Sequence, residues 1–364
     1  MTATSFLLLL LGRRFGLKDK VALQQSLDKP GLAGVVQLMQ SILATTLLFE
    51  LTGVFLLMSV FVPEYGFKDG VWSAIFHSVN SFNNAGLSLY SDNFIGYVNS
   101  PMINFTVSGL IIFGGIGYQV IMEMYLWLRD RFNKSPICVV FSLNFKVVTS
   151  TTVVLLILGT LAFLVLEYNN PATFGPLNFP QKVMAAWFQS VTPRTAGFNT
   201  IDYSKMSEAG LFLTIALMFI GASPGSTGGG IKTTTFRILF SCTTAVIEGQ
   251  EEVECYQRQI PPAMILKTIS VVFGSLLVAF TSAMLIEVTN PQVEFIEALF
   301  EAVSAFGTVG LSTGITAKIS AIGKLIVIAT MYIGRVGVLL LMSAAFGDPK
   351  PRSFKYAEES LLVG

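Results

Sequence analysis

The chain has 364 residues, of which 45 are Asp, Glu, Lys or Arg, so its charged share of 12% is about half the roughly 25% usual in soluble domains. With 30 Phe and a mean hydropathy of +0.67, so few charges cannot clothe a water-facing surface, and the composition points to a membrane. A net charge of +1 excludes a basic surface for nucleic acid, three scattered cysteines (Cys138, Cys242, Cys255) make neither a disulfide framework nor a C-x-x-C metal site, and one histidine, His77, excludes a histidine-rich centre.

In chain order, the apolar run 6–11 is too short for a signal peptide and has Arg13 and Arg14 behind it rather than ahead. Stretches of spanning length, about 20 residues, then fall at 33–62, 101–128, 145–168, 207–247, 263–287 and 321–346. The predicted fold is an all-α polytopic membrane protein with six spans. The fourth stretch exceeds what a bilayer needs and contains Gly221, Ala222, Ser223, Pro224, Gly225, Ser226, Thr227, Gly228, Gly229 and Gly230, so a broken helix is expected there. Segments 71–82, 181–191 and 294–305 are apolar but too short to cross, and fit re-entrant helices.

Basic residues orient the chain. Segments 12–30, 129–146, 237–267 and 347–364 hold fifteen Lys and Arg, against six in 63–101, 167–208 and 288–324. The first set is therefore expected to be cytoplasmic, with both termini inside and the short helices on the outer side.

A threefold repeat organises the rest. Asn80-Ser-Phe-Asn-Asn-Ala-Gly86-Leu-Ser88, Val191-Thr-Pro-Arg-Thr-Ala-Gly197-Phe-Asn199 and Ser304-Ala-Phe-Gly-Thr-Val-Gly310-Leu-Ser312 align, with their central glycines 111 and 113 residues apart. An aromatic (Phe76, Trp187, Phe300) precedes each glycine by ten residues, and a second motif follows at Phe113-Gly-Gly-Ile-Gly117, Ile220-Gly-Ala-Ser223 and Ile333-Gly-Arg-Val-Gly337. The repeats occupy 31–134, 135–258 and 259–346, between a leading segment 1–30 and a tail 347–364. Irregular backbone at membrane depth survives only when buried in protein or lining a wet cavity. Three such turns therefore suggest that they face one another, with glycine freeing successive carbonyls to replace a cation's water shell. The turns contain no carboxylate, and Thr308-Val309-Gly310 is close to the Thr-Val-Gly-Tyr-Gly of potassium filters.

These turns, with Gly-Ala-Ser-Pro-Gly-Ser-Thr-Gly-Gly-Gly-Ile-Lys and Ile-Gly-Arg-Val-Gly, resemble the Trk/Ktr/HKT superfamily of potassium transporters, and within it the bacterial Ktr-type membrane subunit, over nearly the whole chain. The resemblance implies four span–pore-helix–span units around one pore, each giving one glycine to a filter. The three repeats correspond to the second, third and fourth units, and the first is expected to be largely missing, with 1–11 as its inner end. It implies a filter of Asn84, Ala85, Gly86 and Leu87, of Thr195, Ala196, Gly197 and Phe198, and of Thr308, Val309, Gly310 and Leu311, whose carbonyls bind K+. The break at 221–230 with Lys232 would be a gate, and Arg335 would lie just below the filter. Three glycines at the filter imply preference for potassium over sodium; no cofactor is implied, and a Na+ dependence is left open. Implied partners are a second copy of the chain and a cytoplasmic ring of nucleotide-binding, RCK-type regulatory subunits, at the inner membrane. A truncated non-conducting chain, and a sodium-selective or non-selective cation transporter of the same architecture, stand as alternatives.

Other positions carry smaller expectations. Lys232 falls one residue late for a phosphate loop. Arg335, deep in a span, should face a cavity or a partner. Arg194 is expected behind the filter, paired with Glu297 or Glu301. Glu50 should hydrogen-bond a neighbouring helix, His77 should be a packed, hydrogen-bonded residue, and Trp72, Trp127 and Trp187 should anchor or pack. Sparse buried carboxylates and one histidine do not supply an enzyme's site.

Overall fold

A computed structural model describes residues 35–133 and 140–338. The expected segments 1–30 and 347–364, both termini, and the end of the last span lie outside the described residues.

The first repeat is built from α1 (Val35–Phe82), α2 (Pro101–Ile116) and α3 (Tyr118–Phe132). Pro63 and Gly66, whose φ of 78° no helix accommodates, fold α1 into two arms. The second arm contains the predicted segment 71–82 and returns beside the first, where Ser78 Oγ donates to the Glu50 carbonyl at 2.7 Å. The second repeat comprises α4 (Leu143–Glu167), α5 (Phe179–Val191), α6 (Glu208–Phe219) and α7 (Thr233–Ile247). The third comprises α8 (Pro262–Thr289), α9 (Phe295–Gly307) and α10 (Ala321–Val336). Among the described residues the strands are one two-residue pair, β1 (Glu254–Cys255) and β2 (Arg258–Gln259), joined through Tyr256 and Gln257 at positive φ.

The all-α class stands, but the count of continuous spans does not. Among the described residues, three helices are long and apolar enough to cross a membrane, in α1, α4 and α8. The stretch 101–128, expected to run straight, bends by 104° between α2 and α3. Gly117 (φ 93°, ψ 141°) makes that bend, and Gly337 (φ 91°, ψ 136°) ends α10 in the same conformation. With α6 stopping at Phe219, each repeat breaks its second span at its second glycine motif. Only the middle break was expected, because only there does the sequence leave the apolar register.

Long apolar side chains on α4 and α8 face outward, Val165 76% and Phe273 69% exposed, as a lipid-facing wall requires. The interior belongs to the short helices: Phe188 on α5 and Phe300 on α9 are fully buried. One apolar cluster joins the first two repeats through Phe61, Phe94, Phe188 and Phe198, and another joins the second and third through Met218, Phe300 and Val303.

Candidate functional site

Each short helix ends where a glycine turn begins, and the turn hangs from the helix's last carbonyls. Ala85 N donates to Asn80 O at 2.9 Å, Ala196 N to Thr192 O at 3.1 Å and Val309 N to Ser304 O at 2.8 Å. The three turns share one backbone pattern. φ is positive at Asn84 (50°) and Gly86 (68°), at Thr195 (65°) and Gly197 (79°), and at Thr308 (51°) and Gly310 (90°), with a residue of ordinary φ between. Alternating the sign of φ lets successive carbonyls of an extended segment turn toward the same side, which a regular strand, whose carbonyls alternate, cannot do.

The turns also meet. A Cβ built on Gly86 would stand 2.5 Å from the carbonyl oxygen of Ala196 and 3.0 Å from Gly197 Cα. One on Gly197 would fall on the carbonyl oxygen of Val309 and lie 3.2 Å from Gly86 Cα, and one on Gly310 would lie 3.8 Å from Gly197 Cα. Gly197 is thus the middle member, flanked by Gly86 and Gly310; among the described residues the ring is open between those two. The helices α5, α9 and the second arm of α1 direct their C-terminal ends at this point, each carrying roughly half a negative charge.

The loop 220–232 packs against the inner ends of the turns. A Cβ on Gly228 would strike Thr195 Oγ1 and one on Gly229 would strike Thr308 Oγ1. The loop is pinned to itself and to the first repeat. Gly221 N donates to Ile231 O at 2.9 Å, Ser223 N to Gly115 O at 3.0 Å and Thr227 N to Gly114 O at 3.3 Å. Tyr118 N donates to Gly225 O at 3.2 Å. Ser226 Oγ bonds Ser223 O, and Ser223 Oγ pairs with Thr233 Oγ1 at 2.9 Å. Gly225 and Gly230 take positive φ, and Gly117 approaches so closely that a Cβ there would lie 2.5 Å from Pro224 O. Lys232 Nζ bonds Gly228 O at 2.8 Å, within the loop. Arg335, from the last repeat, donates Nη1 to Thr227 O at 2.8 Å, so the third repeat also holds this loop.

Arg194 departs from expectation. It is buried beside the turn, but it makes no ion pair among the described residues, and its Nε and Nη2 have no hydrogen-bond partner. It faces a small cavity between the first two repeats, lined also by Ile111, Thr152, Ser223 and Thr233. Glu301 lies on α9 in the other direction and accepts from Ser312 Oγ at 2.8 Å and Thr316 Oγ1 at 2.5 Å. Spacing along the chain gave both charges but not the faces they occupy. Glu50 accepts from Asn83 Nδ2 at 2.7 Å, one residue past the end of the same helix's second arm. His77 is fully buried; its Nδ1 donates to Ser73 O at 2.8 Å, and its ring stacks on Tyr90 with centroids 5.0 Å apart.

Peptide groups from three helix ends, a loop packed against them and an apolar outer wall together define the class, a multi-pass membrane transport protein. Comparison with known proteins makes this specific. Residues 5–356 match the TrkH family, described as cation transport proteins, and the chain belongs to it. It is 36% identical over 364 residues to the Ktr system potassium uptake protein B of Bacillus subtilis, covering all of this chain and 80% of that one. It is 37% identical to the potassium/sodium uptake protein NtpJ of Enterococcus hirae, covering 97% of this chain and 77% of that one. The crystal structure of the potassium transporter TrkH from Vibrio parahaemolyticus superposes with a TM-score of 0.69 at 17% identity, covering 91% of this chain and 68% of that chain, a likeness of fold.

Proposed function

We propose that the chain carries potassium ions across the cell membrane through one site ringed by peptide carbonyls at 84–87, 195–198 and 308–311. The observation that carries this reading is the convergence of three turns with the same alternation of φ on one point. A dehydrated cation is held there by carbonyl dipoles and helix ends, with no carboxylate to trap it. The loop 221–232 is the gate: it fills the space under Thr195 and Thr308, and Arg335 holds it there. Opening it is the task of a separate cytoplasmic regulatory subunit, and the chain works as a homodimer in the inner membrane with both termini inside. The names of the B. subtilis and E. hirae relatives support potassium as cargo.

The second of those names supports another reading, in which sodium passes as well. Uptake of rubidium and of sodium by cells without their own potassium uptake systems, expressing the full chain, separates the two. Rubidium uptake that sodium does not suppress supports the potassium reading; equal passage of both ions supports the other, and uptake of neither overturns both.

A further inference from the structure

Each repeat contains a buried polar side chain on its short helix that bonds the strand leaving the turn, eleven residues further on. His77 Nε2 pairs with Ser88 Oγ at 3.2 Å, Gln189 Nε2 donates to Thr200 Oγ1 at 3.4 Å, and Glu301 Oε2 accepts from Ser312 Oγ at 2.8 Å. His77 and Gln189 are fully buried and Glu301 is 5% exposed. Each makes a second bond further along the same outgoing segment. Leu89 N reaches His77 Nε2 at 3.4 Å, Tyr203 Oη donates to Gln189 Oε1, and Thr316 Oγ1 donates to Glu301 Oε1 at 2.5 Å. The first and third repeats match further: Ser88 Oγ accepts from Tyr90 N and Ser312 Oγ from Gly314 N, both at 3.0 Å.

The chemistry differs at each position while the connection is kept. Ser73 O can only accept, so His77 Nδ1 is the donor there and Nε2 of the neutral ring is left as an acceptor. Glu301 accepts twice. Gln189 donates to one residue and accepts from another. Apolar side chains would have packed these sites more cheaply, because a buried polar group is costly unless bonded. We propose that His77, Gln189 and Glu301 are positioning residues that tie the outgoing strands to their short helices and so hold the turn carbonyls at the spacing that prefers potassium over sodium. This rests on the carbonyl site proposed above. A turn with its outer end free can contract onto the smaller ion; one tied at both ends cannot.

The test is rubidium uptake against competing sodium, with the amount of chain in the membrane measured for every variant. Losing one such bond is worth about 1 kcal/mol, or roughly fivefold, so Glu301→Leu, which removes two, should lower the preference for rubidium by roughly thirtyfold. Glu301→Gln, which copies the middle repeat's residue, should restore most of it. Because Glu301→Leu risks misfolding, Ser312→Ala and Ser88→Ala remove the same bonds from the half-buried strand side and should lower preference in the same direction. Gly197→Ser is the control for the site itself. If it abolishes preference while both serine variants and Glu301→Leu, present in normal amount, keep the parent's value, the positioning role is overturned and the carbonyl site stands. If Gly197→Ser also keeps the parent's preference, the carbonyl site falls, and this proposal with it.

Discussion

The middle turn and its two flanking turns have the same backbone but different surroundings. Residues 191–198 are buried throughout, Phe198 at 0% exposure against Phe94, whose N–H in turn bonds Asn199 O at 3.0 Å. Around Gly86, by contrast, Ala85 is exposed and Leu87 is 61% exposed; Gly310 is exposed as well, though Val309 and Leu311 are buried. Among the described residues, these exposed positions belong to the two turns that border the opening in the ring. A conformation that L-residues seldom adopt is thus held by neighbours on both sides in the middle and on one side at the flanks, so the middle turn should tolerate least.

Substitution at the glycines tests this most severely. Gly197→Ser would need to displace the Val309 carbonyl, and rubidium uptake with selectivity over sodium is expected to disappear; Gly310→Ser meets only an ordinary contact with Gly197 Cα and the strain of its φ, so uptake should persist at reduced selectivity. Equal loss in both would break the comparison. Next in size is packing: Phe198→Ala should destabilise by about 3–5 kcal/mol and Leu87→Ala by less than about 0.5 kcal/mol, read from thermal or denaturant unfolding of purified protein. Below the turns, Arg335→Gln removes a charged donor from Thr227 O, a bond worth about 1.5 kcal/mol, so resting flux should rise by roughly tenfold without change in selectivity. The smallest effect is expected from Arg194→Leu. A buried charge with no carboxylate partner among the described residues contributes little or nothing to stability, and the variant should be neutral or more stable by about 1 kcal/mol; a loss of several kcal/mol would reveal a counter-charge.

The repeat, the three turns and the short helices were legible because glycine spacing and apolar length survive in one dimension. α5 and α9 lie within two residues of the expected ends. The bend at Gly117 was not legible, since residues on either side of it are apolar and hydropathy carries no φ; the recurrence of a glycine there was the available signal. Arg194 shows a second limit. Its distance from Gly197 placed it behind the turn, but which repeat it faces depends on helix rotation. The trio His77, Gln189 and Glu301 escaped because the residues are chemically unlike, and because in the middle repeat the pair slides by one position relative to the glycine. A buried polar residue on an otherwise apolar short helix, eleven before a hydroxyl, would have found it.

For the proposed gate, the bonds that pin the loop to its neighbours imply a resting leak. Ser223 N to Gly115 O, Thr227 N and Oγ1 to Gly114 O, Tyr118 N to Gly225 O and Arg335 to Thr227 O are five of its attachments outside the loop itself. At about 1 kcal/mol each, and about 1.5 kcal/mol for the charged Arg335 donor, they favour the closed arrangement of the proposed gate by roughly 5.5 kcal/mol, or an open population near one in ten thousand. One attachment belongs to the first residue of α3, beyond the 104° bend, so a tug on that helix reaches the loop through a single peptide group. A partner that grips with micromolar affinity releases about 8 kcal/mol, which exceeds that sum and would be enough to invert the balance of the proposed gate.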